Sequence, residues 1–132
     1  MSDYEKMEDR ELDKAVAKSV FGWTFREHVG WIEPGGQRWD APRRYSTSIA
    51  DAWMVVEAMQ SKAFESGKYF CLEAPDPKSL GDFRTHWTAG LMQLDELREI
   101  SEPEWFSWAY AKSAQRAICL AALKAVEAKD SR

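Results

Sequence analysis

The chain has 132 residues, of which 45% are hydrophobic and 30% are charged, and its formal net charge is −4. This composition is typical of a globular protein and excludes a disordered or fibrous chain. The length fits one domain with one hydrophobic core, which we expect to span residues 1–132. The negative charge repels phosphate backbones and anionic lipids, which argues against bulk nucleic acid and membrane surfaces as partners.

The cysteines and the N-terminal residues indicate the compartment. Cys71 and Cys119 are far apart and each lies in an apolar run. A disulfide scaffold needs more cysteines, so we expect two buried thiols in a reducing cytoplasm. Residues 1–14 are too polar for a signal peptide, and no apolar run approaches the ~18 residues of a membrane span. We expect residues 1–7 to be frayed.

The first third of the chain predicts a helix and a β-hairpin. Apolar residues recur at fourth-residue spacing from about residue 8 to residue 21, which predicts a helix that Gly22 ends. Aromatic and β-branched residues then lie on both sides of Pro34-Gly35-Gly36. This pattern is typical of short strands joined by a tight turn.

The middle of the chain predicts a second helix followed by strands. Residues 48–64 predict the helix, because Ser48 and Asp51 form a capping box ahead of an apolar face. Residues 69–73 predict a strand, and residues 84–88 predict its partner.

The last third begins with an acidic stretch at 93–106, which we interpret as a helical insertion. The aromatic run at 105–110 could open a helix or form one last edge strand. Residues 114–127 are alanine-rich and predict the final helix. Together these elements predict an α+β fold in which a small antiparallel sheet packs with three to four helices.

Three segments of the chain carry a family resemblance when taken together. Residues 9–23 predict a helix that ends in a Gly-Trp pair, residues 44–57 place a Tyr-Ser-Thr start before a helix with the run Ala-Asp-Ala-Trp, and residues 117–125 contain an Ala-Ile-Cys helix. In this order the segments resemble the phage ABA sandwich domain family of tailed bacteriophages. The resemblance implies an α-β-α sandwich and expression in the host bacterial cytoplasm. It implies no activity and supplies no catalytic residues, and the 93–106 insertion departs from the family's pattern.

The sequence offers no catalytic or cofactor signature. Its histidines and cysteines form no C-x-x-C or H-x-x-x-H pair, so we expect no metal site. No G-x-S-x-G elbow or phosphate-binding loop is present. We therefore expect no cofactor and favour a protein that is not an enzyme. A small hydrolase with His28 or His86 as general base is the alternative.

Seven tryptophans are many for so short a chain. We assign Trp23 and Trp53 to the core, and we favour the core for Trp87. The other four are harder to bury, because an indole needs a partner for its N–H and so favours half-buried positions at surfaces. These four are Trp31, Trp39, Trp105 and Trp108.

The best candidate for a ligand site is the stretch before the second helix. A helix N-terminus attracts anions, arginines bind phosphate oxygens, and indoles can stack on a base. The candidate ligand-binding residues are Trp31, Trp39, Arg43, Arg44, Tyr45, Ser46 and Thr47. The alternative is that the hydroxyls only cap the helix, the arginines are solvated, and the indoles complete the core.

The candidate residues for a protein–protein interface are Trp105, Phe106, Trp108 and Tyr110, next to the acidic stretch. An exposed aromatic patch with a charged rim is typical of such interfaces.

We hypothesise a phage accessory protein of anti-defence type, a homo-oligomer that sequesters a small phosphorylated ligand such as a nucleotide second messenger without cleaving it. The alternative is a protein-binding module that inhibits or recruits a host protein through region 94–110.

Overall fold

The computed structural model of the protein describes residues 4–64, 68–93 and 104–130. The helices are α1 (Asp9–Ser19), α2 (Ile49–Phe64) and α3 (Ala114–Asp130). The strands are β1 (Thr24–Arg26), β2 (Gly30–Ile32), β3 (Arg38–Trp39), β4 (Lys68–Glu73), β5 (Trp87–Gln93) and β6 (Glu104–Ala111). The strands form two antiparallel sheets of three strands each, so the predicted α+β class is confirmed.

Helix α1 forms where the apolar spacing predicts it. Leu12 and Val16, one turn apart, are fully buried. Gly22 follows the helix with a φ of +74°, a conformation that glycine adopts without steric cost. The reversal brings the N–H of Trp23 to the carbonyl oxygen of Ala17 at 2.9 Å, which places the Trp23 indole in the core.

The small sheet consists of β1, β2 and β3 in that order. Phe25 of β1 lies opposite Trp31 of β2, and Trp31 lies opposite Trp39 of β3. The predicted hairpin is therefore confirmed, with its turn at 33–37 closed by a hydrogen bond from the N–H of Glu33 to the carbonyl of Gln37.

The main sheet has the order β4–β5–β6. The sequence predicts the second strand at 84–88, but β5 begins at Trp87, because residues 81–84 form a 3-10 turn. The aromatic run at 105–110 belongs to β6, which decides between the two structures that the sequence left open. Residues 93 and 104–106 of the expected helical insertion are in strands, and 94–103 lie outside the described residues.

Helix α3 is the centre of the domain. Its residues 117–123 are each 2% exposed or less, so the helix is enclosed on all sides over about two turns. It packs on β5 and β6, and both α1 and α2 pack against it. The side chains of Ala89, Leu91 and Ala109 are buried in the same core on the sheet side.

Residues 4–7 are ordered by α3, whereas composition alone predicted that 1–7 fray. Tyr4–Lys6 form a 3-10 turn, and the Tyr4 and Met7 side chains pack against the core. Arg116 of α3 donates hydrogen bonds to the backbone carbonyls of Glu5 and Met7. Lys124 forms an ion pair of 2.8 Å with the Glu5 carboxylate, which lowers the pKa of Glu5. Polar residues of this segment therefore bind to α3 instead of to water.

Trp53 is not in the core, where the sequence analysis placed it. The buried stripe of α2 consists of Ala52, Val55, Val56 and Met59. Trp53 lies beside that stripe and is 52% exposed, with Ile49 exposed one turn before it. The small Ala52 faces the interior, where it permits close packing that an indole at the same place would prevent.

Gly30 provides a test of the small sheet. We expect Gly30→Ala to destabilise the protein by about 1–3 kcal/mol, because the φ of +103° disfavours a side chain. In addition, an added Cβ would lie 3.0 Å from the backbone oxygen of Trp39. Urea denaturation measures the loss. Gly35→Ala is the matched control, since Gly35 has a similar φ of +107° with open space around it. Equal losses for the two variants would contradict the close approach of β2 and β3.

Candidate functional site: an aromatic row flanked by two cations

Phe25, Trp31 and Trp39 form an aromatic row across the small sheet. Opposite residues of antiparallel strands point to the same face, so the register aligns the three rings. The Phe25 and Trp31 ring centroids are 5.3 Å apart. Trp31, in the middle, is only 5% exposed, whereas Phe25 is 53% and Trp39 36% exposed. The row therefore offers two accessible rings on either side of a covered one.

Two cations lie over the aromatic row. The Lys18 ammonium of α1 is 5.6 Å from the centre of the Trp31 ring, and the Arg43 guanidinium is 5.6 Å from the centre of the Trp39 ring. Both distances are within the range of a cation–π interaction. The Nε atom of Arg43 is buried and has no hydrogen-bond partner among the described residues. The Arg43 guanidinium thus lies beside an accessible indole, with the N–H of its buried Nε unsatisfied.

The start of α2 is satisfied within the protein. The N–H of Asp51 donates to the Ser48 hydroxyl at 3.3 Å, and the Asp51 carboxylate accepts the N–H of Arg44 at 3.1 Å. Ser48 therefore caps the helix as the sequence predicts, while Asp51 reaches beyond the capping residue to Arg44. Its carboxylate also occupies the positive end of the helix, so an incoming anion at this terminus meets a negative charge.

Tyr45 and Ser46 are in the core and not on the surface where a ligand site was expected. Tyr45 stacks on Phe21 with ring centroids 5.0 Å apart, and burial raises the pKa of its hydroxyl. Ser46 donates its N–H to the buried Asp13 carboxylate at 2.8 Å and its hydroxyl to the carbonyl of Asp9 at 3.1 Å. The polar groups of Ser46 are therefore used to join α1 to the start of α2.

The seven candidate ligand residues thus fall into an accessible group and a buried group. Trp39 and Arg43 are adjacent, and Arg44 and Thr47 are exposed on the following turn. Trp31, Tyr45 and Ser46 are buried. Phe25 and Lys18 were not among the candidates. The strand register could have indicated Phe25, but nothing in the sequence places a lysine of α1 over Trp31.

The local charge differs from that of the whole chain. Residues 14–44 contain six basic side chains and three acidic ones, against a net charge of −4 for the protein. Lys14 is one helical turn before Lys18 and shares its face of α1. The surroundings of the aromatic row are therefore a basic part of this acidic protein, which favours an anionic ligand there.

The second candidate region lies on the main sheet. Trp108 is 43% exposed, and Tyr110 is half-buried. Both lie on the face of β6 opposite to Ala109 and Ala111, which are buried beneath α3. Trp105 and Phe106 belong to β6 by their backbone, but their side chains are outside the described set.

The remaining cysteines and His86 lie apart from the aromatic row in the described part of the chain. Cys119 is buried and Cys71 half-buried, both are free thiols, and burial raises the pKa of each. His86 shares a 2.7 Å hydrogen bond with the hydroxyl of its neighbour Thr85. Across the described ranges there is no group of three His, Cys, Asp or Glu residues that could hold a metal ion. No helix in those ranges is long and apolar enough to cross a membrane.

Comparison with known proteins confirms the family resemblance. Residues 14–76 match the family model described as the Phage ABA sandwich domain. This match covers α1 from Lys14 onward, the small sheet, α2 and β4, and so includes the aromatic row. Comparison with curated proteins gave no significant match.

A solved structure shares the fold. A crystal structure of a phage protein from Bacillus cereus ATCC 14579 superposes with a TM-score of 0.61 at 22% sequence identity, covering 94% of this chain and 95% of the other. The likeness therefore extends over the whole architecture, including β5, β6 and α3. Both similarities are to bacteriophage proteins.

The buried Asp13 carboxylate should make stability depend on pH. Burial raises the pKa of Asp13 above its ordinary value of 3.8, although the hydrogen bonds from Ser46 oppose the shift. Because the folded protein binds this proton more tightly than the unfolded chain does, the free energy of unfolding is highest below the unfolded pKa. It falls as the pH rises from the unfolded pKa through the folded pKa. We expect Asp13→Asn, which keeps an acceptor for Ser46, to gain stability relative to wild type from about pH 3.8 upward.

Urea denaturation at several pH values measures this difference. Asp13→Ala is the control for the hydrogen bond, because it leaves the Ser46 N–H without an acceptor and should be less stable than Asp13→Asn by about 1–3 kcal/mol at every pH. A constant difference between Asp13→Asn and wild type over the whole pH range would contradict the raised pKa.

Proposed function

We propose that this protein is a non-enzymatic bacteriophage binding protein that sequesters a small phosphorylated ligand carrying an aromatic base, such as a nucleotide second messenger. An anti-defence role, in which the phage removes a signal from the host, is the biological setting that we propose for it. The observation that supports the proposal best is the pairing of Trp39 with Arg43, an accessible indole beside a guanidinium with an unused N–H.

The proposed binding mode uses the two chemistries of that pair. A base stacks on the exposed Trp39 ring, with Phe25 as the second accessible ring of the aromatic row. Phosphate oxygens accept hydrogen bonds from Arg43 and from the exposed Arg44. Lys18 and Lys14 add positive charge on the α1 side. Asp51 disfavours a second phosphate at the start of α2, so the ligand would lie on the β3 side of Arg44.

Calorimetric titration with a panel of cyclic and ADP-ribose-type nucleotides tests the proposal. We expect at least one member to bind, and we expect Trp39→Ala to weaken that binding by about 10- to 100-fold, since stacking on one base contributes about 1–3 kcal/mol. Arg43→Lys keeps the charge but loses the bidentate fork, and it should also weaken binding. Trp108→Ala is the matched control, because it removes a similarly exposed indole from the main sheet.

Two results would contradict the proposal. No binding of any panel member argues against the ligand class, and equal effects of Trp39→Ala and Trp108→Ala argue against the site. Sequestration is separated from hydrolysis by incubating protein and ligand for many hours and then denaturing the protein. Return of the intact ligand supports sequestration. A cleaved product that disappears in His28→Ala or His86→Ala would support the hydrolase alternative instead.

A further inference from the structure

Tyr45 combines a buried ring with an unpaired hydroxyl. The ring stacks on Phe21, and the residue as a whole is only 1% exposed. The hydroxyl makes no hydrogen bond to any other group in the described part of the chain. Buried polar groups are normally hydrogen-bonded, because an unsatisfied donor loses the bonds that water gives it in the unfolded chain. The unused hydroxyl therefore needs an explanation that packing of the ring does not give.

The Tyr45 hydroxyl can be reached by one small atom. Within the described ranges, the Nε of Arg43 is the buried side-chain polar atom that is both fully enclosed and unpaired. The Tyr45 hydroxyl is unpaired but not fully enclosed, so the small accessible area of the residue includes it. An opening of this kind admits one atom of the size of a water oxygen, while the ring beneath stays covered. The hydroxyl therefore suits a single polar atom of a ligand.

The hydroxyl and its neighbour Arg43 both present hydrogen-bond donors. Burial has the largest effect on the pKa of the Tyr45 hydroxyl and raises it, and among the charged groups Arg43 has the strongest effect and lowers it. The Arg43 guanidinium, which is also 5.6 Å from the centre of the Trp39 ring, is therefore close to the hydroxyl. A guanidinium has donors and no acceptor, and a nearby cation favours a hydroxyl whose oxygen faces it and whose hydrogen points away. The complementary ligand atom is an acceptor.

Carboxylates around the hydroxyl disfavour a phosphate at this point. Three of them raise the pKa of the Tyr45 hydroxyl, which means that a negative charge there is repelled; these are Asp51, Glu33 and Asp13. One guanidinium stands against them. A phosphate oxygen would meet the same repulsion, whereas a carbonyl oxygen accepts a hydrogen bond without adding a negative charge. The acceptor that fits best is therefore neutral.

We propose that the Tyr45 hydroxyl donates a hydrogen bond to a carbonyl oxygen on the base of the ligand, so that the site selects bases with a carbonyl group over adenine. The inference rests on the proposed function, since the base stacked on Trp39 brings its edge beside Arg43 and Tyr45. Adenine places an amino group where guanine places a carbonyl oxygen. That amino group would face the donors of Arg43 and leave them unpaired, and a site built to hydrogen-bond one group rejects an analogue without it.

Urea denaturation of Tyr45→Phe tests the unpaired hydroxyl without any ligand. The substitution removes the hydroxyl and keeps the ring that stacks on Phe21. We expect a urea midpoint no lower than that of wild type, because no hydrogen bond within the protein is lost. A lower midpoint would show that the hydroxyl has a partner inside the folded protein, and this result would overturn the inference.

NMR titrations with inosine and adenosine, each with and without a 5′-phosphate, test the acceptor. The two bases differ at one position, which carries a carbonyl oxygen in inosine and an amino group in adenosine. Wild type should bind the inosine form about tenfold more tightly or better, and Tyr45→Phe should lose most of that preference. Tyr69→Phe is the matched control, because it removes the hydroxyl of a half-buried tyrosine on β4, and it should keep the preference.

The four probes separate this inference from the proposed function. Wild type without a preference for inosine, or a preference that Tyr45→Phe retains, overturns the inference even if the nucleotides bind. Equal affinities with and without the phosphate overturn the phosphorylated-ligand proposal and leave the role of Tyr45 intact. If none of the four probes binds wild type, both are overturned.

Discussion

The central helix α3 is enclosed on every side over about two turns, and the positions of the other elements depend on that enclosure. A helix with apolar residues all around it cannot lie on a surface, because its outer half would remain in water. Here the main sheet covers one side, while α1 and α2 cover others. Burial of Ile118, Leu120 and Leu123 contributes about 1.5–3 kcal/mol each. The alanines between them permit the close approach of the surrounding elements.

Polar contacts between distant parts of the chain then join the covering elements. The buried Asp13 of α1 accepts the N–H of Ser46, which holds the turn before α2 against α1. Arg116 of α3 binds Asp9 and the backbone of residues 5–7, which fixes the N-terminal turn. A buried carboxylate is costly unless it is hydrogen-bonded, so Asp13 is tolerated only because Ser46 satisfies it. The residues that the sequence suggested for ligand binding are therefore partly structural.

What remains accessible for binding is the part of the small sheet that this framework does not use. Trp31 is covered by its neighbours in the aromatic row and by Lys18, whereas Trp39 keeps an accessible face beside Arg43. A row of rings on a short, well-supported sheet offers rigid stacking surfaces with little entropy to lose on binding. The candidate ligand surface lies on the small sheet, apart from the main sheet that packs on α3.

The sequence by itself determined the helices, the small hairpin and the family resemblance, because these follow from local causes: the spacing of apolar residues, the Ser48 cap, Gly22 and the Pro-Gly-Gly turn. It also located the stretch that contains Trp39 and Arg43. Only the tertiary structure decided which side chains are accessible. The Trp53 side chain is exposed and the Trp31 side chain is buried, because burial depends on what packs over each face of an element and not on residue type. Likewise, only the pairing with β5 showed that the aromatic run before α3 is a strand, since its local pattern fits a helix start equally well.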